Sequence, residues 1–159
     1  MRKFGVAVVA LALAACADSA RDALEQARKA LAETHYSEAI AAADAGRARK
    51  PERITSWGLE IVKLEALARS GRGDETLAQL EKLTAAWPDN MVADQFAATA
   101  DQLRAAGQGA AAIQVLDRGL SRFPQDAALR GQIEQAKVAP APGSDELKML
   151  ESLGYINKK

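Results

Sequence analysis

The chain holds one cysteine and one histidine, and only 4% of it is aromatic. A single thiol closes no intramolecular disulfide. One thiol and one imidazole also form no cysteine- and histidine-rich zinc motif, and no disulfide framework is available. His35 lies beside Tyr36 at a predicted helix start with no cysteine partner for nucleophilic work, and a local structural role accounts for it. No stretch alternates β-branched and polar residues as a half-buried strand does. No charge excess marks a nucleic-acid binder either, since 21 basic residues face 21 acidic ones. The longest apolar run, near the N-terminus, is too short to cross a bilayer.

What is abundant is alanine within a 48% apolar composition, spread over 159 residues. That length suits one domain, and the composition suits close-packed helices. The expected fold class is therefore all-α.

The N-terminus has the anatomy of a secretory signal. Arg2 and Lys3 precede the apolar stretch from Phe4 to Leu13, and the small residues Ala14 and Ala15 stand before Cys16. Ordinary signal cleavage does not require a cysteine at that place. Leu13, Ala14, Ala15 and Cys16 resemble the lipobox of bacterial lipoproteins, which has an aliphatic residue, two small residues and the cysteine that is lipidated. The resemblance implies that residues 1–15 are removed. Cys16 then carries a diacylglyceryl thioether and commonly an N-acyl chain such as palmitate. Two or more acyl chains anchor a protein stably, where one binds marginally. Loss of Arg2 and Lys3 leaves 19 basic residues against 21 acidic ones.

Beyond Cys16 the chain repeats itself. LARSGRGDETLAQLEKLTAAWPDN from Leu67 aligns without gaps on LRAAGQGAAAIQVLDRGLSRFPQD from Leu103, an offset of 36 residues. The initial leucine, both glycines of G-x-G, a second leucine and the aromatic-proline pairs Trp87-Pro88 and Phe123-Pro124 coincide. An earlier copy places Ala39 twelve residues before Pro51, as Thr76 stands before Pro88 and Ala112 before Pro124. This pattern resembles the tetratricopeptide repeat, a helix-turn-helix unit of about 34 residues with a small residue, a bulky residue four later and a closing proline. Tyr36, Ala39 and Pro51 carry the match in the first copy, Thr76, Leu80 and Pro88 in the second, and Ala112, Leu116 and Pro124 in the third. Ala43 stands where the bulky residue belongs, the tryptophan-leucine-glycine start of the first helix is not clear, and the repeats run two or three residues long. The resemblance implies a right-handed α-solenoid of about three repeats.

Helical periodicity gives the same elements without the family. Apolar stripes run through Ile54, Trp57, Ile61, Leu64 and Ala68; Leu77, Leu80, Leu83 and Trp87; Val92, Phe96, Ala100 and Leu103; and Ile113, Leu116, Leu120 and Phe123. Helices are expected near residues 20–33, 36–48, 54–69, 74–86, 91–106, 110–122 and 126–137, the seventh capping the last repeat through Leu129, Ile133 and Ala136. Acidic residues such as Asp74, Glu75, Glu81, Asp89 and Asp94 fall at helix starts and on polar faces, where dipole and solubility explain them. Gly71-Arg72-Gly73 follows no strand, so it is a repeat turn and not a phosphate loop. Residues 139–143 form a proline-rich linker, and Ser144 caps a short helix in residues 144–159 whose Leu147, Leu150 and Leu153, with Tyr155, make a docking face. The ending LESLGYI is similar to L-x-x-LGY endings of some secreted sulfatase-like enzymes.

These observations point to no enzyme and no cofactor beyond the lipid on Cys16. They predict a signal peptide over 1–15, a tether over 16–19 and a repeat domain over 20–138. The domain is expected to act as a scaffold that binds another envelope protein or peptide, with no metal or nucleic acid involved. Arg28, Val62, Glu65, Gln95, Thr99 and Gln102 are the expected groove residues, projected from the first helix of each pair. The resemblance to bacterial lipoproteins, with Ala17 directly after the cysteine and Asp18 only next, implies the periplasmic face of the outer membrane. Two alternatives belong to other classes: an accessory subunit of a secreted hydrolase, and a small-ligand carrier.

Overall fold

The computed structural model describes residues 5–138, 140 and 143–157, with side chains from Ser19 onward. Among these residues the chain is all-helical, with eight α-helices and no strand. In order they are α1 (Gly5–Ala32), α2 (Tyr36–Ala48), α3 (Arg53–Arg69), α4 (Gly73–Ala86), α5 (Ala93–Ala105), α6 (Gly109–Arg122), α7 (Ala127–Val138) and α8 (Asp145–Ser152). Helices α2 to α7 begin and end within two residues of the expected places. The first helix differs, since it starts at Gly5 and not near Ala20. Leucine and alanine are strong helix formers and no proline interrupts them, so the backbone over residues 16–19, expected as a tether, is helical. The side chain of Cys16 and most of the proline-rich linker lie outside the described residues, as do residues 1–4 of the leader. No helix among the described residues is long and apolar enough to cross a membrane.

One backbone turn recurs along the chain. At the end of α1 the His35 N–H donates to the Ala30 carbonyl (2.8 Å) and the Thr34 N–H to that of Leu31 (3.1 Å). Arg72 and Gly71 repeat the pair on Leu67 and Ala68 (3.0 and 3.1 Å), and Gln108 and Gly107 on Leu103 and Arg104 (2.8 and 3.0 Å). This is the Schellman arrangement, which requires a left-handed residue just past the helix. Thr34, Gly71 and Gly107 fill that place at φ 61°, 73° and 77°. The next residue then lets its carbonyl accept from the N–H of Ala39, Thr76 or Ala112 (3.0, 2.9 and 2.9 Å), starting the following helix. A second turn also recurs. Trp87 and Phe123, at φ −135° and −124°, precede prolines, whose rings push the preceding residue out of the helical region. Lys50 before Pro51 instead takes φ 53°.

Contacts divide the chain into two compact units, one ending at Ala66 and the other beginning at Leu67. In the first, α1, α2 and α3 share a core of Leu24, Ala27, Ala30, Leu31, Ala39, Ala43, Leu59, Val62 and Ala66. Small residues bring these helices close. A Cβ on Gly46 would lie 2.8 Å from Leu59 and 3.1 Å from Ala23. A polar clamp joins α2 to α3: Arg47 Nε donates to buried Glu60 (2.7 Å), and its Nη1 to Ser56 Oγ (2.6 Å), which in turn donates to the Pro51 carbonyl (3.2 Å). Removing one partner of such a buried pair typically costs about 3–5 kcal/mol, because the other charge is left without compensation.

In the second unit α5 and α6 form a hairpin, α4 packs on α6, and α7 packs on both α5 and α6. Its buried side chains include Leu80, Leu83, Phe96, Leu103, Leu116, Leu129 and Ile133. Phe96 meets Phe123 edge-on at 6.0 Å between ring centroids. Gly119 admits this packing, since a Cβ there would lie 3.0 Å from both Leu129 and Phe96. Asp126 caps α7 by accepting from the Leu129 N–H (2.9 Å).

Two expected stripe positions lie outside the core. Ile54 is 82% exposed and Val92 47%, while Met91 beside the latter is buried. Both stand at helix starts, where the chain has not yet settled onto its neighbours.

The recurring turn is open to test by urea denaturation. Thr34 carries a branched side chain in a left-handed conformation, so Thr34→Gly is expected to stabilise the protein by about 1 kcal/mol. Gly107→Val is expected to destabilise it by about 1–3 kcal/mol. A Cβ at Gly107 meets nothing within 4 Å, so that cost is conformational and not a clash.

Candidate protein-binding face

The first helices of the hairpins were the expected source of a binding face, and their side chains divide by burial. Arg28 on α1 is exposed and donates to Glu25 one turn away (3.1 Å). Glu65 on α3 and Gln95 and Gln102 on α5 are half-buried. Val62 is 6% exposed within the α1–α2–α3 core, and Thr99 is 3% exposed with its hydroxyl donating to the Gln95 carbonyl (2.7 Å). These two support their helices from within and offer no side chain to a partner. The helical period could not separate them from their neighbours, because it fixes a direction around the axis and not how far α1 or a neighbouring helix covers it. Arg28, Val62 and Glu65 belong to the first unit, and Gln95, Thr99 and Gln102 to the second.

On α5 a polar edge meets α7. Gln132 Nε2 donates to Asp101 (3.0 Å), and Arg104 Nη1 donates to the same carboxylate group (3.2 Å). No sequence signal marks this edge, since it joins residues about thirty apart with no shared motif.

The C-terminal helix docks on its own chain. Ser144 caps it by accepting from the Leu147 N–H (3.2 Å), and α8 packs against α6. Leu150 is fully buried there, Leu147 and Tyr155 are half-buried, and Leu153 stays 36% exposed. Glu146 lies so close to Gly109 that a Cβ on that glycine would overlap its carboxylate, at 1.5 Å. Past Ser152 the Schellman turn returns. Gly154 takes φ 79°, and the Tyr155 N–H donates to the Leu150 carbonyl (2.9 Å). The turn aims the Tyr155 hydroxyl at Asp117 on α6, to which it donates at 2.9 Å. The docking face anticipated for this helix thus has an occupant within the chain.

A cleft of about 450 Å³ in the second unit is floored by Leu80 and Phe96 and edged by Arg118 and Arg122. Both arginines are engaged. Arg118 pairs with Glu81 (2.7 Å), and Arg122 donates to the Pro88 carbonyl (2.5 Å). Among the described residues no cluster of three histidine, cysteine or acidic side chains is placed to hold a metal ion. His35 lies 3.7 Å from Glu33 and 3.9 Å from Glu38.

No protein-family model matches the chain, and neither does any curated protein or solved structure.

Burial lifts the Tyr155 phenol, and the Asp117 carboxylate beside it adds to the lift, pushing its pKa up to about 12 from 10.0. A raised pKa means that folding favours the neutral phenol, so this stabilisation is complete below pH 10 and is lost as pH rises toward 12. The absorbance difference near the phenolate band between the native chain and Tyr155→Phe is expected to titrate near pH 12. A difference curve centred near 10 would mean that the phenol is not held on α6.

Proposed function

We propose that the chain is a lipid-anchored helical-repeat adaptor of the bacterial cell envelope, which binds another envelope protein through its first-helix face. The observation that carries this reading is the recurrence of one hairpin. The same Schellman turn closes α1, α3 and α5, at Thr34, Gly71 and Gly107. In the second unit helices of like position meet, α4 on α6 and α5 on α7, as stacked repeats require. Both features support reading the chain as a tetratricopeptide-like solenoid of about three repeats, with α7 as its cap.

The first helices of each unit display amides and charges. In the second unit Gln95 and Gln102 on α5 suit a partner segment with polar rims, over the buried support of Thr99; in the first, Arg28 and Glu65 offer charges, with Val62 buried in the core. Lipidation of Cys16 sets where this happens. With Ala17 next to the modified cysteine, the proposed location is the periplasmic face of the outer membrane. Because the backbone is helical through residues 16–19, the anchor adjoins the first unit directly and the partner is membrane-proximal.

Site-specific photocrosslinking in intact cells tests the adaptor. A benzophenone side chain at Gln95 or Gln102 is expected to capture one discrete envelope protein, and the same group at exposed Ala78 on α4 is expected to capture none or far less. Equal capture from both faces, or none from α5, would contradict the proposed surface.

A further inference from the structure

The turn between α2 and α3 lies against the start of the described part of α1. Arg21 on α1 pairs with Glu52 at 2.5 Å, and Arg49 donates to the Ser19 carbonyl. The Arg21 guanidinium holds the Glu52 carboxyl below its ordinary range, so the pair stays charged. Ser19 is three residues beyond Cys16 on one continuous helix, which places the two about 4.5 Å apart along the axis. The turn is therefore fastened within one helical turn of the residue that carries the anchor.

Its chemistry is unlike the rest of the surface. Ile54, 82% exposed, is an outlying apolar side chain in the first turn of α3. Around it in sequence stand Arg49, Lys50 and Arg53, all exposed. With Arg21 they face three acidic residues in the adjoining sequence, Asp18, Asp22 and Glu52. Lys50 adopts φ 53° where the equivalent residues of the later copies, Trp87 and Phe123, take φ −135° and −124°, so this turn alone departs from the repeated geometry. The Ile54 side chain is largely outside the packing of the first unit, and an exposed apolar residue beside cations in the chain suits an interfacial membrane contact.

We propose that this corner, residues 49–54 together with the start of α1, rests on an anionic phospholipid surface, with Ile54 in the headgroup layer and Arg49, Lys50 and Arg53 at the lipid phosphates. The inference rests on the lipid anchor at Cys16 and adds to it. An acyl chain fixes one point and leaves the domain free to swing, whereas a second contact beside it fixes orientation. With this corner down, the far end of the α1–α2 hairpin, at residues 33–37, stands about 18 Å above the surface, from the length of α1 beyond Ala20.

The test uses the lipidated full chain carrying Ile54→Cys, purified from membranes and reconstituted into vesicles. Cys16 is consumed by the lipid, so the new thiol alone accepts an environment-sensitive fluorophore. In vesicles rich in phosphatidylglycerol the emission is expected to shift to the blue and to be quenched by spin-labelled lipid. In pure phosphatidylcholine, or with Lys50→Glu and Arg53→Glu added, the fluorophore is expected to stay aqueous. A label on Ser37→Cys is expected to stay aqueous in both lipids. If the protein floats with the vesicles but the label at 54 is aqueous in both, the surface contact is refuted while the anchor stands. Burial of that label irrespective of lipid charge and charge reversal also overturns the proposal. A protein that neither floats nor incorporates a fatty-acid analogue refutes the anchor, and the inference falls with it.

Discussion

The left-handed residue that closes each first helix is the constraint on which the rest of this architecture depends. It reverses the chain within three residues, so that the small side chain four residues beyond the turn, Ala39, Thr76 or Ala112, arrives buried against the preceding helix. Without that reversal the alanine-rich faces would have no close neighbour. Alanine buries little area per residue, so such a core gains its stability from near approach and many contacts, and only tight turns and small residues allow that approach. Gly46 and Gly119 serve the same end inside the helices, each admitting a leucine side chain at a distance that a Cβ would block.

The two ends of the chain are treated differently. At the N-terminal end, charged side chains hold a loop close to the start of α1, beside the cysteine proposed to carry lipid. At the C-terminal end, α8 folds back on α6 with Leu150 buried and Tyr155 bonded to Asp117. A helix of eight residues is unstable alone, and here tertiary burial compensates. The chain thereby covers part of α6 with its own tail.

The features that could be read from the sequence were those in which a backbone conformation demands a residue type. G-x-G marks a left-handed turn, and an aromatic before proline marks a residue that leaves the helical region, so the bounds of α3 to α7 lie close to those read from the sequence. The first turn carries the same backbone with threonine at the glycine position, and only its spacing from Pro51 revealed it. Periodicity misplaced Ile54 and Val92 because it cannot tell a helix start, still clear of its neighbours, from the buried turns that follow. It also missed the Arg47–Glu60–Ser56 clamp, since buried polar residues disturb an apolar stripe without announcing a partner. Among the expected groove residues, Val62 and Thr99 share the angular position of exposed neighbours and differ only in what packs over them. That information resides in tertiary contacts. The docking of α8 was foreseeable as an amphipathic need, but its seat on α6 was set by Gly109 and Asp117, which no local pattern links to it.

Native-state hydrogen exchange at the amides of His35, Arg72 and Gln108 measures the recurring turn directly. Each donates the long-reach bond of that turn, back to Ala30, Leu67 and Leu103 respectively. All three are expected to be protected to a similar degree and to exchange as slowly as amides in the middle of the buried helices. If they exchange as fast as the exposed amide of Asp89, in the loop that follows Pro88, the helix pairs are not held by a common turn and the repeated architecture described here is wrong.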